Sequence, residues 1–440
     1  MPPRSDVQIA RFLVRNVLLA LAFSLLYLLC YERFLNQFFD YLGFPFYKKD
    51  VFFLFISLFI VILPLFFYRG FISLSSYISI FIYIILYIPT ILTFAVGSSL
   101  PMHQILLIQV IFLGGMCIFF LADTIQFSLK VRISLLRIEY VLFATILSCL
   151  YIIWVYRGNL QFVGIEDVYV QRLSNEGIGS DVISRYLIVW LATVFAPLCI
   201  IYGILNSKGL YLIIGIVACI VVYMAYAPKW VIMLPFILGA LSFVFRNGRH
   251  EHMYNILIIM LALPMLIIIL VSPEPDNGFF LFSSIFLMRT VGQGGSLNLV
   301  YHDFFSNHPQ TYYSHINIVN KITGAYPYKD LQIGQVVGQN IWSEEMNSNA
   351  NFWATDGFAA MGLTGLALSS LLLFFLLLLL NASSKRYNKQ FLIMAFIPFL
   401  LFLLNTSLFS TMWTGGGIFL LLFMLLSRNE PAFLNKENRV

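Results

Sequence analysis

Apolar runs of roughly 17 residues or more recur along almost the whole chain, each long enough to cross the ~30 Å of hydrocarbon in a bilayer at about 1.5 Å of rise per residue. With 60% hydrophobic and only 10% charged residues, a water-soluble domain of this size could not clothe its surface. Spans are predicted at roughly 10 to 30, 51 to 68, 71 to 96, 105 to 122, 140 to 156, 186 to 205, 210 to 226, 230 to 245, 253 to 271, 354 to 380, 391 to 405 and 411 to 427. The expectation is an all-α polytopic membrane protein, with about 12 transmembrane helices in a single transmembrane domain over residues 1 to 440. The first run follows Arg4, Arg11 and Arg15, but its apolar core is too long for a signal peptide and no small-residue cleavage site follows. It is predicted to stay as a span. Bulky Leu28 and Leu29 before Cys30 argue against lipid attachment there, and all five cysteines lie in apolar runs as small hydrophobes. No disulfide framework, zinc site or other metal site is encoded.

Charge sets the orientation. Sixteen of the 26 basic residues, among them Arg69, Lys130, Arg137, Lys208, Arg249, Lys385 and Arg428, fall on one side of these spans with only six of the 20 acidic ones. That side is predicted to be cytoplasmic, with both termini inside. The basic excess therefore reports topology, and nucleic-acid binding is not implied. Two outer loops stand out in length, 157 to 185 and, above all, 272 to 353, which is expected to be one large loop outside the membrane. Within it, LFSSIFLMRTV and YKDLQIGQVVG are candidate short helices at the membrane surface.

Function is sought in these loops, because polar groups held by a rigid scaffold are the usual place for sites. No glycine-rich phosphate loop and no histidine pair at zinc spacing is present. Glu274 and Asp276 in SPEPD are the nearest approach to a cation site, though a solvated loop start accounts for them. Outer cations lie close to predicted membrane crossings: Arg172, Arg185, Lys229, Arg289, Lys321 and Lys329. Lys229 sits in a tight outer turn, against the positive-inside trend, either snorkelling to the interface or anchoring an anionic head group. Arg172 and Arg289 offer fixed, permanently charged donors suited to phosphate oxygens. His302, His308 and His315 can accept protons near neutral pH, and the adjoining Tyr301, Tyr312 and Tyr313 suit stacking on sugar faces. Glu344 and Glu345 are adjacent carboxylates, one way to prepare a base.

The stretch NSNANFWATDGFAAMGLTG closes the large loop and opens a Leu-rich run. Thr355 is expected to cap the helix starting there, with Asp356 in its first turn, favoured by the helix dipole. Gly357, Ala360, Gly362, Thr364 and Gly365 give the helix a small-residue face for close packing. A carboxylate at such a helix end is well placed to work in a cavity.

This stretch resembles the segment that closes the large periplasmic loop of O-antigen polymerases, the Wzy-type polymerases of oligosaccharide repeat units. The layout over nearly the whole chain is similar too: about twelve spans, both termini inside, a medium loop with Arg172 and a large loop with Arg289. Members carry a glycine eleven residues after each of these arginines, where this chain has Ile183 and Val300. The resemblance implies a type C glycosyltransferase-like scaffold in the bacterial inner membrane that joins repeat units carried on undecaprenyl diphosphate at the periplasmic face, without a cofactor. Taken together with the residue chemistry above, the catalytic candidates are Asp356, Glu344, Glu345 or His308, and the candidates for diphosphate or substrate contacts are Arg172, Arg185, Lys229, Arg289, Asn349, Asn351 and Tyr312. Arg172, Lys229 and Arg289 are expected to converge on the diphosphate. Implied partners are the lipid-linked donor and acceptor oligosaccharides, membrane lipids, a chain-length regulator and a flippase, and no nucleic acid. Two alternatives remain. An O-antigen ligase has a similar layout but carries a histidine near the end of its large loop, where Asn347, Asn349 and Asn351 stand here. A flippase or other transporter typically shows internal repeats and mid-membrane charges, which this sequence lacks.

Overall fold

A computed structural model describes residues 6–125, 127, 135–164, 171, 175, 178, 181–246, 252–428 and 433–434. Among the described residues the chain is helical, with only two isolated β-bridges. Eight helices are long and apolar enough to cross a membrane: Ala10–Leu42, Leu74–Gly97, Met102–Leu121, Ile138–Val155, Val182–Asn206, Gly209–Tyr226, Met253–Val271 and Ala354–Ser384. Four shorter apolar helices, Val51–Phe66, Lys229–Val244, Lys389–Leu403 and Gly417–Leu426, fall at the other predicted spans. This is a multi-pass membrane protein.

The helices group into two units, the first comprising Met1–Gln126, Glu251–Leu378 and Leu403–Leu408. Its centre is Leu74–Gly97, the most enclosed of the eight long helices. Pro64 in the neighbouring Val51–Phe66 helix has no N–H and so frees the Ile60 carbonyl, and the tightening into a 3-10 turn at Leu63–Phe66 frees that of Val61. In an apolar interior each freed carbonyl needs a donor. Tyr87 supplies one to Ile60 at 2.8 Å and Tyr83 the other to Val61 at 2.9 Å, from successive turns of the central helix. On another face, Tyr27 and Thr93 share a hydrogen bond of 2.7 Å.

Much of the expected outer loop is not loop. Gly278–Ser284, Ile285–Gly292 and Gln293–Asn307 form consecutive helical segments, so the candidate helix LFSSIFLMRTV is present. Its Gln293–Asn307 continuation is pressed against the central helix, with Asn298 and Tyr301 fully buried. Gly294 and Gly295 make this possible. A Cβ on Gly294 would come within 2.8 Å of Leu86 Cδ1, and one on Gly295 within 2.7 Å of the Pro89 carbonyl. Asn298 completes the seam by donating to Thr90 Oγ1 at 2.8 Å. The second candidate helix forms at Ile333–Ile341.

The second unit comprises Phe127–His250, Leu379–Phe402 and Phe409–Val440. Here Gly209–Tyr226 returns along Ala196–Asn206 after a turn through Ser207 (φ +55°), and Gly203 and Gly215 let the backbones approach. A Cβ on Gly203 would lie 2.6 Å from Leu212 N, and one on Gly215 2.6 Å from Ile200 Cγ1. At the far end of Gly209–Tyr226 three described residues of the 157 to 185 stretch are held: Tyr223 donates to the Val163 carbonyl at 2.8 Å, Gln171 to that of Met224 at 2.5 Å and Asn175 to that of Ala225 at 2.9 Å.

Candidate active site

The predicted span at 354 to 380 is not one rod. Its helical run is broken at Met361 and Gly362, where Gly362 takes φ +58°, a backbone region that glycine enters freely. The chain then doubles back. Trp353 Nε1 donates to Ser370 Oγ at 2.9 Å, a Cβ on Gly357 would sit 2.7 Å from Leu366 Cα, and one on Gly365 would strike the Gly357 carbonyl. Residues 353, 357, 365 and 370 thus pair in antiparallel order, as in a helical hairpin whose short arm carries Asp356. As one straight helix the 31 residues of Ala354–Ser384 would measure about 46 Å, more than the ~30 Å of a bilayer core, and the reversal shortens that reach.

The cap of the short arm is Asn351. Its Oδ1 accepts from Trp353 N at 3.0 Å and Ala354 N at 2.7 Å, while Thr355 Oγ1 accepts from Asn351 N at 3.2 Å. Thr355 was the expected cap; it lies a turn too late and reciprocates instead. Upstream, residues 346 to 348 pack on the glycine face of Ile333–Ile341, where a Cβ on Gly338 would meet Met346 C at 2.7 Å.

Asp356 is buried (1% exposed) within a π-helical turn, Ala354–Phe358. One carboxylate oxygen, Oδ2, accepts from Leu408 N at 2.5 Å, where a short helix begins at Leu408. Ser407 adds a side-chain hydrogen bond. The other, Oδ1, faces His315 Nε2 at 3.5 Å, and neither of these two atoms has a hydrogen-bond partner among the described residues. On its far side His315 Nδ1 lies 2.8 Å from Thr311 Oγ1. Thr311 spends its own proton on the Ala359 carbonyl at 3.0 Å, so its oxygen is the acceptor and His315 Nδ1 carries a proton. A neutral His315 then turns an Nε2 lone pair toward a carboxylate. The arrangement is satisfied only when the two share a further proton, either as a carboxylic acid beside imidazole or as imidazolium beside carboxylate.

The loop holding His315 is strained. Tyr312 (φ +48°) and Tyr313 (φ +62°) are consecutive non-glycine residues in the left-handed region, at about 1–3 kcal/mol each. Backbone bonds from Thr311 N to the Ala359 carbonyl (2.8 Å) and from Tyr312 N to that of Ala360 (2.9 Å) offset this, as does the Tyr313 hydroxyl donating to the Gly365 carbonyl (3.1 Å). Burial raises the Tyr313 phenol above its usual range, with nearby Asp356 adding to the effect, so it stays a donor. The Tyr312 ring is left 63% exposed.

His308 is exposed at the end of Gln293–Asn307, its ring stacked on Phe304 at 3.9 Å and its Nδ1 2.8 Å from the Phe304 carbonyl. Glu344 and Glu345 lie in an exposed turn, and Asn349 is exposed. Asn351 is buried. Arg289 is exposed in the first unit, and Arg185 and Lys229 are exposed in the second. Arg172 lies outside the described residues. Of the three loop histidines the structure selects His315 as the partner of Asp356, and it adds Thr311, Tyr313, Ser407 and Leu408. The stretch Asn405-Thr406-Ser407, three polar residues between apolar runs, was the available signal for the last two. The chain matches no family model, no curated protein and no solved structure.

Proposed function

We propose that this protein is a polymerase of lipid-linked oligosaccharide repeat units, with the Asp356–His315 pair as its proton acceptor. The observation that carries the reading is that pair: a carboxylate and an imidazole with facing, unpartnered atoms, next to an exposed tyrosine on the same loop. In such a reaction an acceptor sugar hydroxyl attacks the anomeric carbon of the donor glycan and loses its proton, while undecaprenyl diphosphate leaves with the bonding electron pair. A base within reach of the hydroxyl typically accelerates such a step by about 10²–10⁴-fold. Tyr312 would stack on a sugar face. Arg172, Lys229 and Arg289 are the sequence-level candidates for neutralising the diphosphate, in an inner-membrane protein with both termini cytoplasmic and residues 290–350 periplasmic. Reporters fused within 290–350 or after Lys229 should then read periplasmic, and those after Arg137, Arg249 or Lys389 cytoplasmic.

One observation favours a second reading. A loop histidine does enter the site, as in a ligase that hands a finished glycan to a lipid core, although His315 stands mid-loop and not near the loop's end, where a ligase carries its own. A deletion strain separates the readings by the lipopolysaccharide it makes. Core bearing a single repeat unit identifies a polymerase, bare core a ligase, and an unchanged ladder removes both.

A further inference from the structure

Away from this site, two helices of the first unit leave the apolar zone side by side. Cys30 Sγ donates to the Met265 carbonyl at 3.7 Å, fixing the first helix against Met253–Val271. Just beyond, the first helix loosens into the π-helical turn Tyr31–Leu35, and its neighbour ends at Ser272 (φ +46°), followed by Pro273. The space between them is a half-open cavity of about 290 Å³. Ile268 and Ile269 form part of its apolar wall, and Arg33 and Glu274 both line it. Phe34, Phe38 and Phe280 cluster beside it at ring separations of 5.0–5.3 Å, adding apolar surface next to it.

The informative feature is what the two charges do not do. Arg33 and Glu274 share one cavity, yet neither forms an ion pair or side-chain hydrogen bond with any described residue. Both side chains are exposed, and a ligand that engages both must present an anion and a cation on a body that accepts an apolar wall. A purely anionic lipid would set its charge against Glu274, and a diphosphate more so. A choline head group has the right charges but no N–H to donate to a carboxylate. We propose that this cavity binds a phospholipid with a primary-amine head group, phosphatidylethanolamine, its phosphate on Arg33, its ammonium on Glu274 and its chains along Ile268 and Ile269. Guanidinium suits phosphate oxygens through its fixed fork of donors, and Gln37, on the same rim, is a further donor.

The test is native mass spectrometry of the full chain, equilibrated with an equimolar mixture of phosphatidylethanolamine, phosphatidylcholine and phosphatidylglycerol. The wild type is expected to retain phosphatidylethanolamine over both others. Glu274→Gln should erase the preference over phosphatidylcholine, a change of about two- to fivefold for a water-exposed charge pair, whereas Arg33→Gln should lower retention of all three phospholipids together. Asp276→Asn, on the same loop but outside the cavity, should leave the preference intact. Comparing lipids within one preparation makes the result independent of how much protein is folded. Equal retention of the ethanolamine and choline lipids by the wild type, stronger retention of phosphatidylglycerol, or an unchanged preference in Glu274→Gln would overturn the proposal.

Discussion

His315 Nε2 and Asp356 Oδ1 face each other across 3.5 Å, each without another hydrogen-bond partner among the described residues. The rest of each side chain is spoken for: Thr311 holds His315 Nδ1, and Leu408 N holds Asp356 Oδ2. The proposed function makes this pair the proton acceptor, and the cost of leaving either member alone in a buried site is what makes it testable.

Asp356→Asn preserves size and can still accept from Leu408 N, so the fold should survive with little loss. The amide cannot take a proton. Single-turnover polymerisation of lipid-linked repeat units by the purified variant should therefore fall by roughly a hundredfold or more. A wild-type rate would leave Asp356 as an anchor for Ser407 and Leu408 and would remove it from the chemistry.

Tyr312 separates a structural from a functional role unusually well, because its backbone is strained while its ring is exposed. Tyr312→Gly removes the Cβ clash of the left-handed conformation, so thermal stability should hold or rise, by up to about 1 kcal/mol offset by glycine's larger unfolded-state entropy. Polymerisation should nonetheless drop, and Tyr312→Phe should keep it. Undiminished activity in the glycine variant would show that the ring contacts no substrate.

The hairpin makes a prediction about packing alone. In Gly365→Val the new side chain would be driven into the Gly357 carbonyl, an overpacking cost of about 1–3 kcal/mol. Its melting temperature in detergent should fall, and activity with it, since the short arm carries Asp356. Ala360→Gly, a small-for-small change on the same arm, should cost about 1 kcal/mol at most. Equal stabilities for Gly365→Val and the wild type would be incompatible with the doubled-back arrangement.

What was legible in the sequence follows from which signals are local. Hydropathy placed the helices, because the requirement to span hydrocarbon is met within each segment. The same signal hid the reversal at Met361 and Gly362, since both arms are apolar and length does not mark it: Ala10–Leu42, at 33 residues, is longer than Ala354–Ser384 at 31. Asp356 could be singled out because a carboxylate before a Leu-rich run is costly. Its partner could not, because His302, His308 and His315 have similar neighbours and the choice depends on how the loop folds over Ala359 and Ala360. Burial of Gln293–Asn307 was missed for a related reason: its polar Asn298 is accepted inside only because Thr90 is there to receive it.

Asp123 offers a pH test outside the spans. It sits just past Met102–Leu121 and accepts from Ser73 and from Ser75 (2.6 Å), at the start of Leu74–Ile82. Burial raises its carboxyl above the ordinary range, against the opposing pull of hydrogen bonds from Ser73, Ser75 and Ser76. The folded state thus holds this proton more tightly than the unfolded one. The stability it contributes is complete below the ordinary carboxyl range and is lost as pH rises through the raised value. Asp123→Asn carries no such proton. Its loss of acceptor strength is a constant offset, so the measurement is the difference between two profiles of melting temperature in detergent, from about pH 4 to pH 8. The wild type should lose ground to the variant as pH climbs above the ordinary carboxylate range and then run parallel to it. Profiles parallel throughout would mean that Asp123 ionises alike in the folded and unfolded protein, and that the three serines fully offset its burial.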